Sequence, residues 1–348
     1  MTRIERSGAG RSSGEQEQER TGARPEAQHE VASVLRAAGL TVRSIVRAGP
    51  TDTDVLHRRI AARSGPLVCT GLLEKWPART AWNPEDLTRR HGDRRVTALL
   101  DLPATGVLFP QDQRHYEREL TFADFLDRMT SATAASAPCY LAYQRAHEIF
   151  DPADCDFTAL LPDNGHATDT RVWIGSAGTR SMLHSDLKDN LFCQVWGEKS
   201  VILISWNDSR AAYPFPDNLV NSQIDLAEPD MSRFPRLRDA VLHHVRMRPG
   251  DLLYIPRGWW HDIRAHSPSI SVNHWFGEPL GLKEYARLLG RLGPAYWRAT
   301  ARDFVAHGML RRQESTRFFF SPASTGRRLY DALRTGSFSH SNDPSTDA

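Results

Sequence analysis

The apolar positions divide the chain into a polar start, a mixed segment, a strand-rich segment and a helical end. Residues 1–27 are mainly Gly, Ser, Glu, Gln and Arg, a composition that predicts a disordered tail because it offers little surface to bury. Over residues 30–62 the apolar residues recur at helical spacing, and residues 66–69 then have the pattern of a short strand. The folded part is therefore predicted to begin near residue 28.

Strand-like and helical segments alternate between residues 66 and 175. Thr121 is a predicted N-cap, because its hydroxyl can accept a backbone hydrogen bond at the start of a helix over residues 122–129. Residues 140–143 form the next predicted strand. The pattern predicts a mixed α+β entry segment ahead of the strand-rich region.

Short strands separated by Gly and Pro turns follow between residues 171 and 276. The predicted strands cover residues 171–174, 191–196, 199–205, 251–255, 260–265 and 269–276. Many short strands in one block are typical of an antiparallel barrel or a jelly roll. We therefore expect one domain over residues 28–279.

Helical spacing returns after the strands, from Leu282 to about Arg334, and residues 335–348 are again polar. The expected organisation is a C-terminal helical segment over residues 280–334 and a polar tail over residues 335–348. The helices, together with the aromatic run Phe318 to Phe320, have more large apolar residues than one barrel face covers. This surplus predicts a homodimer through residues 282–334, or, in a monomer, a helical cap on the open end of the barrel.

Composition and charge narrow the classes of partner. The chain has 44 Lys and Arg against 42 Asp and Glu, and the net charge of +2 gives no electrostatic reason to expect nucleic acid or an anionic membrane. No stretch approaches the roughly 20 apolar residues that a membrane span needs. The four cysteines are scattered, without the spacing of a zinc knuckle or a disulfide framework. These observations predict a cytoplasmic protein that binds neither nucleic acid nor membrane.

A candidate metal site begins with His184 and Asp186, which are two positions apart and therefore point to the same side of an extended segment. The turn at Gly258 delivers His261 at the start of a predicted strand. Two imidazoles and one carboxylate on one face of the coordination sphere leave positions open on non-haem Fe(II). A lone His-x-Asp also occurs by chance in surface loops, but the apolar strand and turn before His261 favour the metal site.

Further motifs accompany these ligands. They are WIG at 173–175, LHSD at 183–186, NLF at 190–192, QVWGEK at 194–199, PGDLLYIPRGWWH at 249–261 and SVNHWF at 271–276. In this order, the sequence over residues 66–279 resembles the JmjC/cupin-like oxygenases, especially their asparaginyl-hydroxylase-like branch. The resemblance implies a mainly β fold with flanking helices, built on a double-stranded β-helix. It also implies Fe(II), 2-oxoglutarate and dioxygen as cofactor and cosubstrates.

The resemblance assigns residues individually. Three match the iron ligands: His184, Asp186 and His261. Five match positions around 2-oxoglutarate: Lys199, Tyr140, Ser181, Asn190 and Asn273. Lys199 corresponds to the lysine that binds the far carboxylate of 2-oxoglutarate, and Tyr140 and Ser181 correspond to hydroxyls for that carboxylate. The closest branch usually has Thr where this chain has Ser181, which keeps the hydroxyl and loses a methyl group.

The residues around Lys199 support this assignment independently. If Gly197 and Glu198 form a two-residue hairpin turn, Lys199 lies opposite Trp196 and shares a face with Phe192. A buried ammonium group needs an anion, and the carboxylate of a ligand would supply one. The alternative is a lysine exposed in a turn.

Other conspicuous residues have more ordinary interpretations. The predicted loop or edge residues are His243 and His244. The predicted structural histidines are His266 and His274, the latter near the pocket by strand parity. The predicted core or pocket-wall residues are Trp259, Trp260 and Trp275. The predicted solvated charges are Arg145, Asp189 and Arg257.

The implied reaction is hydroxylation of an amino-acid side chain in a protein, in a peptide or in an amino-acid-derived small molecule. An N-demethylase with the same cofactors would begin with the same hydrogen abstraction, so the metal ligands do not separate the two. A non-catalytic cupin-like binding protein would need neither the metal ligands nor Lys199. A cupin that uses another metal for isomerisation or hydrolysis would not require the lysine.

Overall fold

The computed structural model describes residues 31–49, 53–103, 113–133, 136–161, 166–314 and 324–335. The helices are α1 (Val31–Ala37), α2 (Thr53–Ala62), α3 (Ala78–Ala81), α4 (Pro84–His91), α5 (Phe122–Ser131), α6 (Ala146–Ile149), α7 (Leu282–Leu292), α8 (Pro294–Asp303) and α9 (Thr325–Thr335). The strands are β1 (Thr41–Ser44), β2 (Arg47–Ala48), β3 (Leu67–Cys69), β4 (Arg95–Leu99), β5 (Glu117–Thr121), β6 (Tyr140–Arg145), β7 (Asp169–Gly175), β8 (Arg180–Ser185), β9 (Asp189–Trp196), β10 (Lys199–Ile204), β11 (Val241–Met247), β12 (Leu252–Ile255), β13 (Trp260–Ala265) and β14 (Ser269–Phe276).

The strands form two sheets. The order in the smaller sheet is β1-β11-β10-β13-β8, and in the larger sheet it is β2-β3-β12-β9-β14-β7-β6-β4-β5. Strands β7 to β14 are divided equally between the sheets, and every pairing among them is antiparallel. This arrangement is the double-stranded β-helix that the motifs implied, so the predicted fold class is confirmed.

The interior between the two sheets is closed by apolar side chains from both of them. Val201 and Leu203 of β10 pack there with Phe192 of β9 and Leu253 of β12. Side chains alternate along a strand, so Lys199, Val201 and Leu203 point to the same face of β10. Lys199 therefore belongs to the interior face of the barrel, and the side chain is 1% exposed.

The connection between β9 and β10 is not the hairpin expected from Gly197 and Glu198. Strand β9 pairs with β12 and β14 in one sheet, whereas β10 pairs with β11 and β13 in the other. Gly197 has a φ of +71°, and a Cβ at this position would lie 2.1 Å from the carbonyl oxygen of Pro268. The two residues form a tight corner at which the chain crosses from one sheet to the other.

The entry segment also differs from its predicted form. Residues 30–62 are not continuously helical, because β1 and β2 lie between α1 and α2. β1 pairs in parallel with β11 and β2 pairs in parallel with β3, pairings to partners that local spacing does not reveal. The predicted N-cap is confirmed, since the hydroxyl of Thr121 accepts a hydrogen bond from the backbone N–H of Asp124 at 3.1 Å.

The C-terminal helices pack on the barrel. Tyr285, Leu288 and Leu289 of α7 are buried against Leu187 and Val220. A π-helical turn, Phe304–Met309, follows α8. The aromatic run at residues 318–320 and most of both predicted tails lie outside the described residues.

Among the described residues, no helix is long and apolar enough to cross a membrane.

Candidate metal and cosubstrate site

The predicted metal ligands come from two neighbouring strands of the smaller sheet and from the residue that follows one of them. His184 on β8 lies directly opposite His261 on β13, and their ring centroids are 4.2 Å apart. Asp186 follows the end of β8, and its Oδ2 lies 3.5 Å from Nε2 of His261. One ligand atom from each of the three residues lies within 4.8 Å of the others. The structure thus brings together all three predicted metal ligands.

Backbone carbonyls orient both imidazole rings. Nδ1 of His184 donates to the carbonyl of Met182 at 2.6 Å, and Nδ1 of His261 donates to the carbonyl of Trp259 at 3.1 Å. Because a carbonyl can only accept, both rings carry their proton on Nδ1 and keep the lone pair on Nε2 for a metal ion. Burial, with a smaller contribution from neighbouring His184, lowers the pKa of His261 to about 4. That ring is therefore neutral at pH 7, as a metal ligand must be.

Two donors fix the carboxylate of Asp186. Its Oδ2 accepts hydrogen bonds from Nδ2 of Asn190 at 2.9 Å and from Nε1 of Trp275 at 2.8 Å. Oδ1 of Asn190 in turn accepts from Nδ2 of Asn273 at 3.2 Å. Asn190 and Asn273, expected to line the cosubstrate pocket, thus form a chain of hydrogen bonds that ends on a predicted metal ligand. Such outer contacts orient ligands and tune the affinity for metal.

The loop before His261 is tied to the loop after His184. The backbone N–H of Gly258 donates to the carbonyl of Asp186 at 2.7 Å. Gly258 has a φ of +83°, and a Cβ there would lie 2.9 Å from the ring of Trp206. Only glycine meets both conditions easily, so the predicted glycine turn sets the distance between the two halves of the metal cluster.

An irregularity in β8 explains how Ser181 reaches the interior. His261 pairs with His184 and Ile263 with Ser181, so two residues of β8, Met182 and Leu183, oppose the single residue Asp262 of β13. This extra residue reverses the alternation of side chains and lets both Ser181 and His184 face the barrel interior despite their odd spacing. The hydroxyl of Ser181 forms a hydrogen bond with Tyr140, although burial still raises the pKa of that phenol.

Lys199 is a buried amine with a neutral partner. Its Nζ donates to Oγ of Ser271 at 2.7 Å and lies 5.7 Å and 5.9 Å from the ring centroids of Phe192 and Tyr140. Burial lowers the pKa of Lys199 to about 7. Among the described residues, no carboxylate forms a hydrogen bond or an ion pair with this amine. Burial excludes the alternative of a lysine exposed in a turn.

A cavity of about 230 Å³ opens over the metal cluster. Its walls include His184, Asp186 and three aromatic side chains, Tyr143, Trp173 and Trp275. Lys188 and Asp169 also line it, and Nζ of Lys188 donates to the carbonyl of Ala167 at 2.6 Å. The cavity therefore forms an aromatic wall on one side of the predicted metal ligands. The buried surroundings of Lys199, formed by Tyr140, Phe192 and Ser271 and called the lysine pocket below, lie inside the barrel.

Several of these residues could have been predicted from the sequence, because side chains two positions apart on a strand share a face. Ser271, Asn273 and Trp275 alternate along β14 and contact Lys199, Asn190 and Asp186, respectively. Because Asn273 was assigned to the pocket, its neighbours two positions away share that face. No comparable signal marks Tyr143 or Asn221, which enter the cavity wall through an irregular strand and a loop.

Two predicted surface charges are less exposed than expected, since Asp189 is buried and the side chain of Arg257 is only 10% exposed. Asp189 is buried, and its Oδ1 accepts hydrogen bonds from the hydroxyl of Tyr254 at 2.8 Å and from the backbone N–H of Arg257 at 3.0 Å. The guanidinium of Arg257 donates to the carbonyls of Glu278 and Pro279. These hydrogen bonds connect β9, β12 and the segment before α7. Because the connected positions are far apart in sequence, local patterns could not predict them. The third of the predicted solvated charges, Arg145, has a side chain that is 35% exposed.

The other four histidines singled out in the sequence lie outside the candidate metal cluster. His274 lies on the face of β14 opposite to Asn273, where it stacks on Phe157 at 4.0 Å and shares a hydrogen bond with Thr170. Its predicted place near the pocket was wrong, because adjacent strand residues face opposite sides. His243 and His244 lie in β11, which pairs on both sides with β1 and β10 and is therefore not an edge strand. His266 shares a hydrogen bond with Ser200.

The tryptophans divide between core and wall. Trp260 is fully buried and donates to Oγ of Ser209 at 3.0 Å. Trp259 packs against the interior cluster of the barrel. Trp275 forms part of the cavity wall and holds Asp186.

Comparison with known proteins places this geometry in a family. The model of the cupin-like domain matches residues 53–281. Jumonji C domain-containing protein 5 of Drosophila melanogaster is 30% identical over 224 residues, which cover 61% of this chain and 54% of that protein. Lysine-specific demethylase JMJ30 of Arabidopsis thaliana is 29% identical over 256 residues, covering 71% of this chain and 58% of that protein.

A third relative, HSPB1-associated protein 1 of Homo sapiens, is 26% identical over 263 residues, covering 70% of this chain and 54% of that protein. This chain spans about half the length of the curated relatives it matches. The cupin-like model nevertheless covers more than half of the chain, including every predicted site residue. The chain therefore belongs to the cupin-like JmjC family of Fe(II)- and 2-oxoglutarate-dependent oxygenases.

Proposed function

We propose that this protein is an Fe(II)- and 2-oxoglutarate-dependent oxygenase that hydroxylates an amino-acid side chain in a protein, a peptide or an amino-acid-derived small molecule. The observation that carries the proposal is the pairing of an oriented His184, Asp186 and His261 cluster with a buried lysine in the same barrel. The metal cluster alone would also suit a hydrolase or an isomerase. A buried amine that has no carboxylate partner within the described part of the chain favours an anionic cosubstrate.

The residues fit both iron and 2-oxoglutarate. His184, Asp186 and His261 would hold iron, since they supply two neutral imidazoles and one carboxylate. Lys199 lies opposite Ala265, four residues along β13 from His261, which is about 13 Å at the rise of a strand. The side chains of Lys199 and His261 are both buried in the same barrel, where Lys199 would hold the far carboxylate of 2-oxoglutarate. Tyr140, Ser181 and Ser271 surround the end at Lys199.

When bound, iron and 2-oxoglutarate supply the oxidising power: one oxygen atom of dioxygen enters the substrate C–H bond, while 2-oxoglutarate becomes succinate and carbon dioxide. The protein residues orient the cosubstrate and the substrate and shield them from water. Lys199 and its hydroxyl neighbours fix the far carboxylate, and Asn190 with Trp275 holds the carboxylate of Asp186. The aromatic walls at Tyr143, Trp173 and Trp275 exclude water and position the substrate side chain.

N-demethylation is the second candidate reaction. It is favoured by the names of relatives, since Lysine-specific demethylase 8 of Xenopus tropicalis is 29% identical over 221 residues. Both reactions begin with abstraction of hydrogen from a carbon atom. They diverge afterwards, because a hydroxylated N-methyl group collapses to formaldehyde whereas a hydroxylated carbon side chain retains the oxygen.

The first experiment is anaerobic titration of the protein with Fe(II) and 2-oxoglutarate. Chelation of 2-oxoglutarate by the metal gives a weak visible charge-transfer band, and admission of air should then yield succinate. Lack of both the band and succinate would overturn the oxygenase proposal in favour of a binding protein or a cupin with another metal. Peptide products then separate the two reactions, since hydroxylation adds one oxygen to the mass and demethylation releases formaldehyde.

We also propose that two copies associate through residues 282–334. Part of the apolar surface of these helices packs on the barrel, as the capping alternative requires, but Trp297, Met309, Leu310 and Leu333 remain between 46% and 65% exposed. Apolar area in water costs about 25 cal/mol per Å², and a second copy would cover it.

Light scattering at micromolar concentration tests the assembly. A dimer is expected, and Met309→Glu should weaken it by placing a charge in the interface. A mass near 39.2 kDa at every concentration would leave capping of the barrel as the role of these helices.

A further inference from the structure

Tyr143 has a backbone conformation that residues other than glycine rarely adopt. Its φ is +61°, in the left-handed region where the side chain crowds its own backbone. The residue lies in an irregular part of β6, where the register with β7 shifts between Leu141 and Gln144. Such conformations persist only where the surroundings hold them, and they concentrate at functional sites.

Arg171 on β7 holds this conformation from two directions. Its Nη1 donates to the backbone carbonyl of Tyr143 at 3.0 Å, and its guanidinium carbon lies 4.2 Å from the centroid of the Tyr143 ring. The arginine is itself fixed, because its Nε contacts both carboxylate oxygens of Asp169 at 2.9 and 3.0 Å. The side chain of Arg171 is only 11% exposed, so it has little freedom to release the tyrosine.

The constrained ring forms part of the cavity wall over the metal ligands. Its centroid lies 5.9 Å from that of Trp173 and 6.0 Å from that of Trp275, and all three rings line the cavity. Trp275 also donates to Asp186. The ring of Tyr143 is thus separated from a metal ligand by a single side chain.

We propose that Tyr143 is a specificity-determining residue that sets the width of the cavity, and that Arg171 is the positioning residue that holds it in place. The inference deepens the oxygenase function proposed above and rests on it, since it concerns the substrate end of that site. The planes of the three rings are not parallel, since Tyr143 meets Trp173 at 70° and Trp275 at 55°, so the rings form an angled wall along which an unbranched side chain can lie. Side chains branched at Cβ, which are widest next to the backbone, would collide with a ring that cannot move aside.

The test uses two isomeric probes, the N-acetyl methylamides of norleucine and isoleucine, which have the same atoms and differ in branching. Binding to the metal-free protein is measured by saturation-transfer NMR. Wild-type protein and Tyr143→Phe should both prefer the norleucine probe by about tenfold, the discrimination that a shaped apolar pocket can reach. Tyr143→Ala should bind the two probes with nearly equal affinity. Failure of both probes to bind wild-type protein, or an unchanged preference in Tyr143→Ala, would overturn the assignment.

Tyr213 provides a matched control for general damage. It too is a tyrosine with positive φ, at +46°, but it packs on Phe234 and does not line the cavity. Tyr213→Ala should lower the melting temperature and keep the preference between the probes. If it changes the preference as much as Tyr143→Ala does, the effect is a general loosening and the assignment fails.

The role of Arg171 is tested by the same ratio of affinities for the norleucine and isoleucine probes. Arg171→Met should remove the preference, because both the hydrogen bond to the Tyr143 carbonyl and the contact with its ring are lost. Arg171→Lys keeps a cation near the ring and should retain part of the preference for the norleucine probe. A lower melting temperature with an unchanged ratio in Arg171→Met would show a merely structural arginine. Failure of the oxygenase function would appear separately, as a lack of succinate formation by iron-loaded wild-type protein, and would leave these binding ratios unaffected.

Discussion

The metal cluster and the pocket around Lys199 lie in one barrel but differ in how their polar groups are satisfied. Both imidazoles and the carboxylate of the metal cluster have hydrogen-bond partners within the protein. Among the residues that the structure describes, Lys199 has only the neutral hydroxyl of Ser271 as a hydrogen-bond partner, and burial lowers its pKa to about 7. The metal cluster is organised before anything binds, whereas the lysine pocket is electrostatically complete only with an anion.

The largest effect is expected at the metal cluster. His184→Ala, Asp186→Ala and His261→Ala should each abolish succinate formation, because each removes one of three protein ligands. The barrel should still fold, since the cluster contributes polar groups and not core volume. Circular dichroism checks the fold, and an assay for succinate checks activity. Full turnover by any one of the variants would show that its residue is not a ligand.

Substitution of Lys199 should weaken the binding of 2-oxoglutarate and leave the binding of iron unchanged. Lys199→Met is expected to raise the concentration of 2-oxoglutarate needed for half-maximal turnover by about tenfold to a hundredfold, since a hydrogen bond to a charged group contributes roughly 1.5 to 3 kcal/mol. Iron affinity should stay the same. The free energy of unfolding should be equal or higher, because the folded state no longer contains a desolvated amine.

Steady-state kinetics and denaturant titration make both measurements on the same preparation. Lys75→Met is a suitable control, because Lys75 is an exposed lysine outside the barrel. An unchanged requirement for 2-oxoglutarate in Lys199→Met would mean that the buried amine has another role.

The difference between the two regions also explains how much of the site could be predicted from sequence. The metal ligands could be proposed from local spacing, because two come from one extended segment and the third follows a glycine turn. Apart from the family resemblance, the expectation that Lys199 lies in the interior rested on a hairpin that does not exist. The expectation held because a corner at Gly197 and a hairpin both turn the side chain of Lys199 inward, and local sequence does not distinguish them.

Features that depend on distant partners could not be predicted. The inward position of Ser181 depends on an extra residue in β8, which neither Gly nor Pro marks in the sequence. Asp189 is buried because Tyr254 and Arg257, more than sixty positions away, supply its hydrogen bonds. Strands β1 and β2 form because β11 and β3 offer free edges, a tertiary effect that overrides the helical spacing around them.

A smaller effect is expected where the two regions meet, at Trp275. Trp275→Phe keeps an aromatic wall but removes the Nε1 donor to Asp186, and the loss of such an outer contact should lower metal affinity by about tenfold. Competition with a chelator for Mn(II) measures this affinity. The matched control is Trp76→Phe, which removes a hydrogen bond to the Asp156 carbonyl away from the cavity. Equal metal affinity in Trp275→Phe and wild-type protein would show that Asn190 alone suffices to orient Asp186.

The smallest effect concerns pH and follows from the unsatisfied state of the lysine pocket. Burial lowers the pKa of Lys199 to about 7, and the carboxylate of bound 2-oxoglutarate should raise it again. Below about pH 7 the free protein already carries the ammonium group, so binding takes up no proton and the affinity should be flat. Above that pH the amine must gain a proton on binding, so the association constant should fall by at most about tenfold per pH unit.

Calorimetry under anaerobic conditions tests this linkage, because titrations in two buffers of different ionisation enthalpy report proton uptake directly. His261 does not contribute, since its pKa is lowered to about 4 and the ring stays neutral throughout the range above pH 6. Lys199→Arg is the matched variant, because a guanidinium stays charged and should give a flat profile. If wild-type protein also gives a flat profile without proton uptake, Lys199 keeps its charge in the free protein, and the contrast between a complete metal cluster and an incomplete lysine pocket is lost.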